Sequence, residues 1–130
     1  MPSDEQTVIQ LWRRCGLTTD YNDPSSDFRL AVEGAASTIL VAVEDTRLVG
    51  SVLVGHDGHR GWIYYLATEP DRQGNGIGSR VVGAAEEWLR TRSVPKLHLM
   101  VRESNSQVTS FYERIGFELM PRIAMSKWLT

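Results

Sequence analysis

Arg72-Gln73-Gly74-Asn75-Gly76-Ile77-Gly78 lies between an apolar run that ends at Thr68 and an amphipathic stretch with helical periodicity reaching about Thr91. A strand that turns through glycines into a helix leaves backbone N–H groups unpaired at the helix start, beside the positive end of the helix dipole. Such a turn holds a phosphate or pyrophosphate without basic side chains. Glycines at 74, 76 and 78 let a ligand approach the backbone closely and allow positive φ where the turn needs it. On the glycine pattern alone, a phosphate cradle and an unliganded strand–helix turn stand level.

The residues on either side place this loop in a fold. Thr38 to Glu44 and Leu48 to Gly55 are β-rich runs joined by Asp45-Thr46-Arg47, which predicts a hairpin. The turn Asp57-Gly58-His59-Arg60-Gly61 then leads into an aromatic strand from Trp62 to Thr68. After the loop, Ile77, Val81, Ala84, Ala85, Trp88 and Leu89 share one stripe of a helix, with Glu86, Glu87 and Arg90 outside it. Pro95 precedes a predicted strand from Lys96 to Arg102. Asn105 or Ser106 caps a last helix whose apolar face is Val108, Phe111, Tyr112 and Ile115, ended by Gly116. Phe117 to Met120 and Ile123 to Trp128 are predicted strands split by Pro121. Upstream, Ser3 with Gln6 has the form of a capping box, and Val8, Leu11, Trp12 and Cys15 follow at helical spacing up to Gly16. Tyr21-Asn22-Asp23-Pro24 is turn chemistry before a short helix from about Asp27 to Glu33. These elements predict an α+β sheet with helices packed on it, as one domain over residues 1–130.

Composition removes several classes of function. Apolar residues make up 42% and charged residues 23% of the 130 residues, the balance of an ordinary globular domain. A net charge of −2 without a long basic run argues against nucleic acid as partner. The longest apolar stretch, Ile39 to Val43, is far too short to span a membrane. Residues 1–17 are charged throughout and lack the apolar core of an export signal, and the lone Cys15 fits a reducing compartment, so a cytoplasmic location is expected. Cys15 sits on an apolar helix face and reads as a structural thiol.

Two nucleotide-binding readings of the loop fail. A dinucleotide fingerprint needs Gly-x-Gly-x-x-Gly after the first strand, whereas these glycines alternate three strands in. A phosphate-binding P-loop needs Gly-Lys-Ser/Thr, and no lysine follows. Gln73-Gly74-Asn75-Gly76-Ile77-Gly78 instead resembles the Gln/Arg-x-x-Gly-x-Gly/Ala signature of the GNAT acetyltransferase superfamily. Leu66-Ala67-Thr68-Glu69-Pro70 is similar to the strand end and proline before that signature. Asn105, Tyr112 and Gly116-Phe117 resemble the superfamily's second motif. Leu11 to Cys15, Asn22-Asp23-Pro24, Asp57 to Gly61 and Tyr64-Tyr65-Leu66 are similar to the small bacterial YpeA-type members.

The resemblance implies a mixed, mostly antiparallel sheet flanked by helices, in which a splayed pair of parallel strands receives acetyl-CoA. The backbone of Gln73, Gly74, Asn75, Gly76, Ile77, Gly78 and Ser79 would hold the pyrophosphate. The backbone of Leu66, Ala67 and Thr68 would pair with the pantetheine arm, one N–H polarising the thioester carbonyl. Asn105 would bond the pantetheine amides, although its residue type equally suits a helix cap. Tyr112 would protonate the departing thiolate as general acid; as a tyrosine on an apolar face it also reads as core. The family's usual first strand is expected to be missing, which would expose a sheet edge and favour a homodimer.

The same resemblance leaves the general base open. Members that use a glutamate carry it in strands equivalent to Trp62–Thr68 or Lys96–Arg102, and both interiors here lack an acid. Asp57, His59, Glu69 and Asp23 are the remaining candidates, each also an ordinary turn residue, and water can relay the proton instead. His56, Asp57 and His59 make a poor metal triad, so no metal is expected. Trp12, Tyr21, Asn22, Asp23, Tyr64 and Tyr65 are expected to line an acceptor mouth suited to a small cationic amine, with Trp12 and Tyr65 reading equally as core. The leading reading is an acetyl-CoA-dependent N-acetyltransferase acting on a primary amine of a small molecule or peptide. The alternative is a non-catalytic acyl-CoA-binding sensor on the same fold.

Overall fold

Alternating apolar residues and the two-residue turn Asp45-Thr46 fold the first β-rich segment into an antiparallel hairpin of β1 (Ser37–Glu44) and β2 (Arg47–His56). Asp45 adopts φ +56° there, the left-handed conformation such turns demand. The computed structural model describes residues 4–18, 23–101 and 105–129. Ahead of the hairpin lie α1 (Glu5–Arg14) and α2 (Pro24–Glu33). After it come β3 (Gly61–Thr68), a 3-10 turn (Pro70–Arg72), α3 (Ile77–Arg90), β4 (Leu97–His98) and α4 (Ser106–Arg114). The four strands form one sheet in the order β1-β2-β3-β4, antiparallel except for the parallel pair β3–β4. The chain forms two compact units, Met1–Leu99 and Met100–Thr130.

In the first unit the strand period sorts residues to two faces. Ser51 and Leu53 look toward α1 and α2, where Val8, Ile9, Leu11, Trp12 and Phe28 form a core with Ile39, Leu48 and Ala67. Each buried Val, Leu, Ile or Phe side chain among them contributes about 1.5–3 kcal/mol by leaving water. Gly50 looks toward α3 on the other face. A Cβ added at Gly50 would stand 2.8 Å from Ile77 Cγ2, and one at Gly61 2.6 Å from Leu89 Cδ1. These two glycines therefore let α3 lie close on the sheet, and both are required for packing rather than for turning.

Several boundaries differ from the sequence expectation. The first helix is capped from Asp4, while Ser3 of the expected capping box lies outside the described residues. The second helix starts at Pro24 rather than Asp27, because Asp23 caps it and proline suits the first helical position. On α3 the buried stripe is Ile77, Val81, Val82, Ala85 and Leu89; Ala84 is exposed, and Trp88 is half-exposed beneath the Arg92 guanidinium, 3.7 Å from its ring centre. The strand expected over Lys96 to Arg102 spans two residues, Leu97–His98, among the described ones.

In the second unit the strands expected at Phe117 to Met120 and Ile123 to Trp128 are not formed among the described residues. The chain bends at Pro121 instead, with the Arg122 N–H donating to the Met120 carbonyl at 2.9 Å. An alternating pattern makes a strand only when a partner strand takes its amides, and no described ladder supplies one. Helix α4 does follow expectation, ending at Arg114 with Ile115 as its C-cap before Gly116 at φ +104°.

Candidate functional site

The glycine loop is shaped by its backbone. Gly74 and Gly76 hold φ +87° and +78°, while Gly78 lies inside α3 with helical geometry, so two of the three glycines serve the turn. Added Cβ atoms at Gly74 and Gly76 would meet nothing within 4 Å, which makes the requirement one of conformation rather than space. Gly76 is the N-cap of α3, and no side chain caps the helix. The N–H groups of Ile77, Gly78 and Ser79 therefore open the helix without a side-chain acceptor, at the positive end of its dipole. Gln73, Gly74, Asn75, Gly76 and Ser79 are exposed, whereas the Ile77 side chain is buried and anchors the turn from below. The Asn75 side-chain amide donates to the Arg72 carbonyl at 3.1 Å, closing the loop on itself.

Charged side chains fix the start of this loop to three other elements. Glu69 is 6% exposed and accepts from Arg14 of α1, with Arg14 Nε at 3.0 Å, and pairs with Arg47 of β2 at 3.5 Å. Arg47 also reaches Asp71 at 3.1 Å, and Arg72 pairs with Glu44 of β1. The Arg72 Nε is buried without a hydrogen-bond partner among the described residues. Glu69 was a candidate general base from its sequence position. Its carboxylate is occupied by two guanidinium groups, which assigns it to holding the loop.

The edge of β3 beside the loop is opened by a bulge. Ser51 pairs with Ala67 and Leu53 with Tyr64, so Val52 faces both Tyr65 and Leu66. Tyr65 sits at φ +52°, a conformation that costs an L-residue about 1–2 kcal/mol. The Glu69 N–H donates to the Val49 carbonyl at 2.8 Å. By the alternation of an antiparallel ladder, Ala67 then faces β2, and Leu66 and Thr68 direct their N–H groups to the other edge. On that edge the described β3–β4 pairing covers only Gly61 with Leu97 and Trp62 with His98. The Thr68 carbonyl accepts the Cys15 thiol at 3.2 Å. Burial pushes that thiol's pKa up, so Cys15 is a protonated donor that ties α1 to the end of β3.

In the second unit, the Asn105 side chain accepts from the Val108 N–H at 3.3 Å and caps α4, leaving its amide NH2 to donate elsewhere. Tyr112 is 8% exposed and packs edge-on against Phe111 and Phe117, at 5.1 and 5.3 Å between ring centres. Burial pushes its phenol up to about 12, because a phenolate there would lose its hydration. At neutral pH it is therefore a neutral O–H donor.

The other expected residues are placed as follows. Tyr21 and Asn22 lie outside the described residues. Asp23 caps α2, its carboxylate accepting from the Ser25 and Ser26 N–H groups at 3.0 and 3.4 Å. Tyr64 is 47% exposed on β3. Asp57 accepts from the His59 and Arg60 N–H groups at 2.9 and 2.8 Å, and these bonds hold its carboxyl below the usual range. It shapes its turn, as its residue type suggests. Among the described residues no group of three His, Cys, Asp or Glu could hold a metal ion. Arg14 and Asp27 were not singled out in the sequence; their partners Glu69 and Tyr65 lie 55 and 38 positions away, and no local pattern marks such pairs.

A helix opened by glycines lies beside a strand with a free edge, in a mixed sheet flanked by helices, and this is the α+β class that the sequence predicted. Residues 6–117 match the profile described as the Acetyltransferase (GNAT) family. An acetyltransferase of Pectobacterium atrosepticum is 41% identical over 126 residues, 97% of this chain and 89% of the relative. An acetyltransferase of Yersinia enterocolitica is 39% identical over 127 residues, 98% of this chain and 90% of the relative. A Clostridium acetobutylicum protein solved with acetyl-CoA shares the fold at a TM-score of 0.78 and 15% identity, over 98% of this chain and 92% of its own. The chain belongs to the GNAT acetyltransferase family, and the expected fold, with its parallel strand pair, is the one observed. No described helix is long and apolar enough to cross a membrane.

Proposed function

We propose that this acetyltransferase moves the acetyl group of acetyl-CoA to a primary amine of a small molecule or peptide by direct attack. The observation that carries the reading is the uncapped start of α3 behind Gly74 and Gly76, next to the bulged edge of β3. The donor set fits such a ligand. Backbone N–H groups from Gly74 to Ser79 would take the pyrophosphate, and the edge of Leu66 and Thr68 the amides of the pantetheine arm, while Ala67, turned to β2, takes no part. The chemistry the donor supplies is an activated thioester.

The remaining steps belong to the chain. The Leu66 N–H would donate to the carbonyl oxygen as negative charge grows there, a contribution of the oxyanion-hole kind. As the C–N bond forms and the C–S bond breaks, one proton must leave nitrogen and one must reach sulfur. Tyr112 would donate its O–H to the sulfur while regaining the proton released by nitrogen. Burial keeps the phenol protonated at neutral pH, the state from which it can donate. With Asp57 and Glu69 committed to backbone amides and arginines, this relay needs no carboxylate base. Asn105 would turn its free NH2 to a pantetheine carbonyl while its oxygen caps α4.

The test is release of free CoA thiol with acetyl-CoA and a panel of small amines and peptides. The expected result is turnover on at least one primary amine, together with thermal stabilisation by acetyl-CoA that exceeds any by ATP or NAD. Tight acetyl-CoA binding without turnover on any acceptor overturns the catalytic reading.

A further inference from the structure

Tyr65 is the one described residue within a strand interior that combines an aromatic side chain with a left-handed backbone. Two contacts from two elements hold it there, and a third fixes one of its partners. Its hydroxyl donates to Asp27 Oδ2 of α2 at 2.6 Å. Its ring stacks on Trp12 of α1, 4.0 Å between centres and 10° from parallel. Trp12 in turn donates its indole N–H to Ser51 Oγ at 3.1 Å, and Ser51 is paired with Ala67 on the far side of the same bulge. Trp12 and Ser51 are fully buried, whereas Asp27 and Tyr65 are half-buried. This chain of contacts runs from β2 through α1 to β3 and ends on α2.

The peptide unit that carries the Leu66 N–H pivots on the backbone angles of Tyr65. Left to its own preference, a tyrosine would return to the β region and pull Leu66 back into regular pairing with β2. We infer that Asp27 and Tyr65 are positioning residues for acyl transfer: the Asp27–Tyr65 hydrogen bond and the Trp12 stack lock the β3 bulge so that the Leu66 amide faces the pantetheine edge. The inference rests on the acetyl-CoA reading for its ligand, while the clamp itself is a property of the chain alone. Backbone outliers kept by surrounding contacts concentrate at working sites, and here the contacts that keep it are identified.

The experiment compares wild type with Tyr65→Phe, Asp27→Ala and Asp27→Asn. Two quantities are read: the amide NMR shifts of residues 65–68 without ligand, and the affinities for acetyl-CoA and for ADP, which carries a pyrophosphate but no pantetheine. Tyr65→Phe and Asp27→Ala should move the Leu66 amide resonance and weaken acetyl-CoA about tenfold, the effect of one hydrogen bond. ADP binding, followed at the Gly74 and Gly76 amides, should stay unchanged. Asp27→Asn keeps an acceptor for the Tyr65 hydroxyl and should restore both readouts toward wild type, which a general loss of stability would not do. Unmoved Leu66 shifts overturn the clamp, whatever the ligands do. Moved shifts with unchanged acetyl-CoA affinity, or with acetyl-CoA and ADP weakened equally, overturn its role in positioning. A wild-type chain that binds no acetyl-CoA while the shifts still move refutes the donor-site reading and, with it, the function assigned to the clamp.

Discussion

The glycine loop and the β3 bulge both turn through left-handed backbone, at φ +87° and +78° in one and +52° in the other, and they reach it by opposite means. In the loop the residue type removes the cost: Gly74 and Gly76 have no Cβ, and their surroundings are open. In the bulge the residue type imposes the cost on Tyr65, and contacts from α1 and α2 offset it. A conformation secured by composition is local and tolerates a remote mutation. One secured by contacts is coupled to every element that supplies them.

Tyr112→Phe leaves both turns alone and provides the reference against which they are judged. It should lower kcat about 100-fold, the range of a lost general acid, with the KM for acetyl-CoA nearly unchanged. Steady-state kinetics check this, and unchanged turnover refutes the assignment. The same variant has a stability signature. The folded phenol lies near 12 and the unfolded one near 10, so folding stability is fully present below pH 10 and declines as pH rises toward 12. In Tyr112→Phe, denaturant titrations should show that alkaline decline reduced.

Gly76→Val breaks the loop's side of the comparison by putting a β-branched residue at φ +78°. A strain of about 2 kcal/mol should weaken acetyl-CoA roughly 30-fold by calorimetry, with the fold retained. Glu69→Gln breaks what fastens the loop. Arg14 and Arg47 are about half exposed and can turn to water, so the expected loss is about 2 kcal/mol of unfolding free energy rather than the full penalty of a stranded buried charge. Gly83→Ala gives the smallest effect and the opposite sign. Gly83 lies inside α3 with ordinary helical φ and open space at its Cβ, so alanine should add about 0.5–1 kcal/mol of stability without changing acetyl-CoA affinity.

The same contrast explains what could be read in advance. The loop, the hairpin, α3 and the Asn105 cap were legible because each is signalled by residues within a few positions of one another. The two C-terminal strands were misjudged for the complementary reason: alternation at Phe117 to Met120 states a preference, and pairing needs a partner. Asp23 looked like turn chemistry and proved to be the cap that lengthens α2 to Pro24. Asp57 and Glu69 looked equivalent as carboxylates in turns. Only the fold showed one bonded to its own turn and the other buried between Arg14 and Arg47.

The sequence by itself determined the element order through the first unit, the glycine loop and the family. Those features rest on periodicity, on capping residues and on glycines whose freedom is intrinsic to the residue. Tertiary structure decided that Gly50 and Gly61 serve the seating of α3, that Glu69 is a fastening, and that Tyr65 is bent into the bulge. Those depend on which side chains meet across tens of residues, and a contact of that range is set by how the sheet and helices pack, a quantity no local stretch of the chain contains.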